Sequence, residues 1–239
     1  PVRLLRAIRR AAELRGTIEK ETRRSMCRYS GSLAGSPGER VRDELCRVLD
    51  LPEAAGWLYE MDDIGLLRCL FPPLEEGRGV QQPVEHVWDV LCHNLESVRA
   101  VEELLTPDSN IGPTVSLASW EEDLPNYFEQ SVLGGRSRSV LLKLAALLHD
   151  VAKPRTRTFE PSGRMRFLGH AEQGAQIAAE LLSNLRFSRY EQKAISTMIF
   201  YHLRPVQLSP PGLLPTDRAI YRYLRDLGDF GVDTLYLSL

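Results

Sequence analysis

LLKLAALLHDVAK, residues 141–153, is the stretch on which the reading of this 239-residue chain turns. A run of leucine and alanine, helical and apolar, ends in His149-Asp150, with Lys153 three residues on. Asp is a poor helix former, and both side chains are costly to bury unpaired. Adjacent residues at a helix end can lean onto one ion, and a rigid apolar helix would aim them at it. Pro154 disfavours helix at Lys153, so the helix is expected over 137–152 and to end there.

The rest of the chain gives that pair its setting. With 43% hydrophobic and 26% charged residues, the sequence is that of a globular protein with ample core, as one large or two small domains. No apolar run approaches the ~20 residues of a membrane span. The Arg-rich start lacks the apolar segment of a secretory signal. Cys27, Cys46, Cys69 and Cys92 form no CxxC pair and read as reduced and structural, in a cytoplasmic compartment and without structural zinc. Residues 1–47 carry 12 Lys/Arg against 6 Asp/Glu, whereas 48–82 set Arg68 and Arg78 against seven acids. A basic end on a nearly neutral chain fits either nearby phosphate or RNA, or a solvated helix face.

The periodicity is helical nearly throughout, so the expected fold is all-α with one small β-hairpin. Residues 2–14 place Leu4, Leu5, Ile8, Ala11 and Ala12 on one face and Arg3, Arg6 and Arg10 on another. A short helix is expected over 19–29 and a loop over 30–38. Ser36 is then expected to cap a helix to Leu49, with Glu39 completing a capping box. Helices follow near 53–61 and 63–70. PPLEEGRGVQQP, 72–83, is a connector and the best domain boundary, giving domains at 1–80 and 81–239. A long helix is expected over 84–105, with Leu91, Leu95, Val98 and Leu105 towards the core, and then a loop over 105–117. TRTFEPSGRMRF, 156–167, alternates around Pro-Ser-Gly as a hairpin does. Further helices are expected at 169–185, 189–203, 215–227 and from 230.

The five histidines, His86, His93, His149, His170 and His202, line up with helices. His86, Asp89 or Val90, His93 and Ser97 share a stripe, and Asp89 is placed to orient the His93 imidazole. His170 opens a helix in which Gly174 allows close packing, and His202 closes the next. Taken singly, each is as well explained by a capping or half-buried histidine. Taken together, His, His-Asp, His and His at helix ends suit a divalent transition metal, which can acidify water and polarise a phosphoryl oxygen. Lys153 would then offer a point charge to a phosphate.

QQPVEHVWDVLCHNLESV, LLKLAALLHDVAKPRT, GRMRFLGHAEQGA and YHLRP resemble the HD domain of bacterial CCA-adding tRNA nucleotidyltransferases and poly(A) polymerases. PVRLLRAIRRAAEL resembles the neck motif of those enzymes, and SPGERVRDEL a segment that follows it. The resemblance covers most of the chain in the family's order. It implies a helical neck over 1–80 and an HD bundle over 81–239, truncated at its end. It implies metal ligands at His93, His149, Asp150, His170 and His202, with Asp150 and Lys153 in catalysis. It implies nickel, manganese or magnesium as cofactor, RNA (tRNA above all) as partner, and a nucleotide or phosphate ester as substrate. Arg3, Arg6 and Arg9 of the neck would lie on the nucleotide side, and Arg157, Arg164 and Arg166 of the hairpin, with Arg155, would face RNA.

There are departures. No Gly-Gly-Ser turn precedes a DxD pair, so nucleotide addition is not expected from these residues, which would depend on a separate nucleotidyltransferase head. Arg10 stands where the neck motif has Phe, and Arg15-Gly16 where it has Gly-Phe. The chain opens at Pro1, as a piece of a longer protein would. It closes at DTLYLSL, short of the family's last metal-binding Asp, which Asp233 does not match. Three functions are compatible: a neck and HD body with phosphohydrolase activity in RNA 3′-end processing, a silent RNA-binding body, and a stand-alone HD nucleotide phosphohydrolase.

Overall fold

The computed structural model describes residues 1–83, 87–106 and 124–239, with side chains from 126 onward in the last stretch. His86 and most of the loop expected over 105–117 lie outside the described residues. Helices dominate: α1 (Arg3–Glu13), α2 (Lys20–Tyr29), α3 (Gly38–Leu49), α4 (Ala54–Ile64), α5 (Leu66–Leu70), α6 (Pro72–Glu75), α7 (Val90–Leu105), α8 (Leu124–Glu129), α9 (Arg138–Leu148), α10 (Lys153–Thr156), α11 (His170–Asn184), α12 (Arg189–Tyr201), α13 (Asp217–Leu227) and α14 (Gly231–Leu237). Among the described residues the only sheet is the expected hairpin, β1 (Arg157–Phe159) antiparallel to β2 (Met165–Phe167), with Thr158 opposite Arg166. No helix among the described residues is long and apolar enough to cross a membrane. The cysteines are free thiols.

The organising element is α9. Every residue from Val140 to Leu148 is buried, as befits a helix apolar all round. It is flanked by α7 and α12, while α11 lies along α12 and α4 along α7. One apolar cluster runs through the whole assembly, from Leu5 and Ile8 of α1 to Tyr236 of α14. Lys143 is the polar exception within that buried run. Its ammonium donates to the Leu49 carbonyl at 2.9 Å and the Leu51 carbonyl at 3.2 Å, and pairs with Glu102 of α7 at 2.9 Å. Glu102 in turn accepts from the N–H groups of Ala54 and Ala55, which begin α4. The end of α3 and the start of α4 are thus pinned to α7 and α9 through four backbone groups that would otherwise lack partners.

Several boundaries differ from expectation for local reasons. Residues 30–35 form a 3₁₀ turn rather than an open loop, because Leu33 within it is buried. The Ser36 capping box does not form: α3 starts after Pro37 with no side-chain cap, and the Ser36 hydroxyl is buried without a partner. Gly38 opens α3 directly against the carbonyl of Asn184, an approach that a Cβ would block. The helix expected to 152 stops at Leu148, so Pro154 does not end it; Pro154 sits instead in the first turn of α10, where a missing N–H costs nothing. The long helix begins at Val90 rather than 84, capped by Asp89.

Candidate metal centre

Five side chains from four helix ends converge. His93 lies in the first turn of α7, and His149 and Asp150 follow α9. His170 is the first residue of α11, and His202 follows α12. Asp150 is the hub, with a side chain 2% exposed. Its Oδ2 lies 3.2 Å from His93 Nε2 and 3.1 Å from His149 Nε2. Its Oδ1 lies 3.3 Å from His170 Nε2 and 3.8 Å from His202 Nε2. The imidazoles also meet in pairs, His93 Nε2 to His149 Nε2 at 3.2 Å and His170 Nε2 to His202 Nε2 at 3.3 Å. The close approach of α11 depends on Gly174, where a Cβ would sit 3.3 Å from the His149 carbonyl oxygen.

Protons decide what this cluster can hold. His149, His170 and His202 each turn Nδ1 to the carbonyl three residues earlier, on Ala146 (2.8 Å), Phe167 (2.6 Å) and Ile199 (2.6 Å). A carbonyl only accepts, so Nδ1 carries the hydrogen and a neutral ring presents its Nε2 lone pair inward. Burial favours the neutral ring: it lowers His93 and His170, and brings His202 down to about 3 with help from His149. For Asp150, burial pushes upward but is outweighed by His149, His93 and Lys153, which hold the carboxyl well below its usual range. The neutral His170 and His202 rings therefore turn their Nε2 lone pairs towards an ionised carboxylate whose Oδ1 has no hydrogen-bond partner. Lone pairs at these distances repel unless a cation lies among them.

The donor set fits a divalent ion. His93, His149 and Asp150 form one group, and Asp150, His170 and His202 a second, with the ligand atoms of each within 4.8 Å of one another. Ligands about 2.1 Å from a shared ion and about a right angle apart would be separated by about 3.0 Å, close to the separations here. Four imidazoles and a carboxylate are the ligands of transition metals rather than of calcium.

Lys153 Nζ lies 2.5 Å from Asp150 Oδ2 and donates to Gln82 Oε1 at 2.6 Å, with the Phe167 ring beneath it. Gln82, from the connector, has no periodic or motif signal that sequence reasoning could have used. Asp89 does not orient His93: its two carboxylate oxygens accept from the N–H groups of Cys92 and Gly79, the ordinary work of an N-cap. Asp233 stands outside the cluster, bound to Arg138 and Tyr127.

The arginines assigned to nucleotide or RNA are dispersed over two elements. Arg3 is exposed. Arg6 bonds Glu44 at 3.1 Å. Arg9 is buried, held by Glu44 at 2.7 Å and by Glu13, so its guanidinium is a strut between α1 and α3 rather than an open contact. On the hairpin, Arg157 and Arg164 are exposed and Arg166 bonds Glu160 at 2.8 Å, while Arg155 grips Glu76 with two hydrogen bonds.

Comparison with known proteins agrees with this geometry. The family described as "Probable RNA and SrmB- binding site of polymerase A" matches residues 17–77, and the HD domain family matches 117–227. An A-adding tRNA nucleotidyltransferase of Deinococcus radiodurans is 31% identical over 85% of this chain and 41% of its own length. A CC-adding tRNA nucleotidyltransferase of Thermus thermophilus is 32% identical over 99% of this chain and 47% of its own. A CC-adding tRNA nucleotidyltransferase of Geobacter sulfurreducens is 35% identical over 41% of the chain. The chain spans about half the length of the first two relatives. The two family matches, joined in one order and backed by these relatives across nearly the whole sequence, place the chain in the tRNA nucleotidyltransferase and poly(A) polymerase family, as its neck and HD portion.

Proposed function

We propose that residues 1–80 form an RNA-facing neck and residues 81–239 an HD body in a cytoplasmic protein of tRNA 3′-end maturation or RNA 3′ tailing. We further propose that the HD body is a metal-dependent phosphohydrolase for cyclic phosphates or phosphate esters. The observation that carries the second part is the excess of inward lone pairs around Asp150. His93, His149, Asp150, His170 and His202 would hold nickel, manganese or magnesium. Such an ion, when bound, acidifies water and polarises a phosphoryl oxygen. The chain's own residues do the rest. The backbone carbonyls behind His149, His170 and His202 fix each Nδ1 proton and so the direction of each Nε2. Lys153, steadied by Gln82, holds a positive charge beside the cluster for a phosphate oxygen. Nucleotide addition would belong to a separate head region that supplies its carboxylate pair.

One observation favours the silent RNA-binding body instead. Lys153 already neutralises Asp150 at 2.5 Å, as a built-in cation would. Metal analysis of the purified chain, dialysed against nickel, manganese or magnesium, separates the readings. The phosphohydrolase reading expects about one equivalent or more of retained metal, lost in Asp150→Ala, together with hydrolysis of a 2′,3′-cyclic nucleotide that the variant lacks. Absence of retained metal, or hydrolysis that survives Asp150→Ala, overturns it.

A further inference from the structure

Helix α2 distributes its cations in two opposite ways. Arg23 turns towards α4, where it bonds Glu60 at 2.7 Å and Asp63 at 3.2 Å. Lys20, Arg24 and Arg28 are exposed and enter no ion pair with a carboxylate among the described residues. Their i, i+4, i+8 spacing sets them along one edge of the helix over about 12 Å, away from the buried Met26. Glu19, the nearest acid before them, is committed to the N–H groups of Glu21 and Thr22. Several other cations of the neck are neutralised: Arg6 and Arg9 by Glu44, Arg10 by Glu13, and Arg78 by Glu75 and Asp62. Like charges four residues apart on a helix repel and weaken it. A polyanion that passes along the edge would relieve that repulsion.

We propose that Lys20, Arg24 and Arg28 form a track for consecutive phosphates of an RNA strand. The inference rests on the reading of the neck as RNA-facing and adds the surface by which it engages RNA. The cations are spread in a line rather than gathered around a point. That arrangement suits a chain of phosphates, whereas a single phosphate calls for convergent donors. It differs from the arginines first assigned by resemblance, since Arg6 and Arg9 are already paired within the protein.

The test measures binding of a tRNA transcript without its terminal CCA to the full chain over a series of salt concentrations. The Lys20→Gln/Arg24→Gln/Arg28→Gln variant is expected to lose more than about tenfold in affinity. The slope of log K against log salt should become shallower by about 2 to 3. Arg218→Gln/Arg222→Gln, which removes two exposed cations from α13, should leave the slope as it was. Arg24→Lys/Arg28→Lys, which keeps the charge, should retain most of the binding and checks that loss does not come from misfolding. If the triple Gln variant binds tRNA with unchanged slope while the wild type binds well, the track is overturned and the RNA-facing neck stands. If the wild type does not bind tRNA, or binds polyglutamate equally well, both fall together.

Discussion

Two buried polar clusters hang from the same pair of helices, α7 and α9, and they are built in opposite ways. At one end Lys143 and Glu102 meet with every charge partnered: an ammonium on two carbonyls and a carboxylate, and a carboxylate on two N–H groups. At the other end Asp150 meets His93, His149 and Lys153 through Oδ2, while its Oδ1 faces His170 and His202 without a hydrogen-bond partner. A satisfied buried cluster is complete in itself and serves as a joint between α3, α4, α7 and α9. A cluster with a buried carboxylate oxygen left facing two imidazole lone pairs has room in its hydrogen-bond balance for a cation beyond Lys153. The difference separates a cluster that is satisfied from one whose side chains could hold an ion, without reference to any relative.

The comparison can be broken in four ways, taken from the largest effect down. Lys143→Met leaves Glu102 buried without its cation and two carbonyls without donors, and should cost about 3–5 kcal/mol in urea unfolding. The variant that remains folded should keep its metal; loss of both together would mean that the two clusters are one. Nickel or manganese at a hundred times its dissociation constant should stabilise the wild type by about 2.7 kcal/mol, and Asp150→Ala by nothing. A metal that shifts both chains equally would place binding elsewhere. Gln82→Leu removes a hydrogen bond to the Lys153 ammonium and should cost about 1.5–3 kcal/mol, with metal content unchanged. A change in retained metal in that variant would bring Gln82 into the ligand set.

The fourth concerns acid. Burial holds His202 down at about 3, below the ordinary 6.5 that it regains on unfolding. The unfolded chain therefore takes up that proton first. The His202 contribution to the stability of the metal-free protein is fully present above about pH 6.5. It falls by on the order of 1 kcal/mol per unit as the pH drops from there towards 3. His202→Gln should flatten that decline in acid-titrated unfolding curves. An equally steep decline in the variant would shift the cause to other groups.

The sequence was legible where one element's own pattern carried the information. The all-α class, the hairpin over 157–167 and the apolar α9 follow from periodicity and turn residues, and the His93, His-Asp, His170, His202 order carried the family resemblance. It misled where the outcome was a competition between local options. Ser36 with Glu39 is a sound capping box in isolation, yet the close approach of Gly38 to Asn184 leaves α3 starting one residue past Pro37. Asp89 is equally well spaced to orient His93 or to cap α7, and the orphan N–H groups of Cys92 and Gly79 claimed it. Arg9 is indistinguishable in the sequence from Arg6 and Arg10, but it alone of the three is buried, against Glu44 from α3.

What the sequence determined by itself, then, is which residues form helices and which residue types are available for an ion, because spacing along one chain fixes the face of a helix. Only the tertiary structure decided that four separate helix ends bring their nitrogens around one carboxylate. It alone pinned Lys143 of α9 and Glu102 of α7 to the end of α3 and the start of α4, and left Lys20, Arg24 and Arg28 facing outward while Arg6, Arg9 and Arg10 were neutralised. Those outcomes depend largely on partners far away in the chain, and charge and hydrogen-bond balance are properties of the packed neighbourhood rather than of the residue.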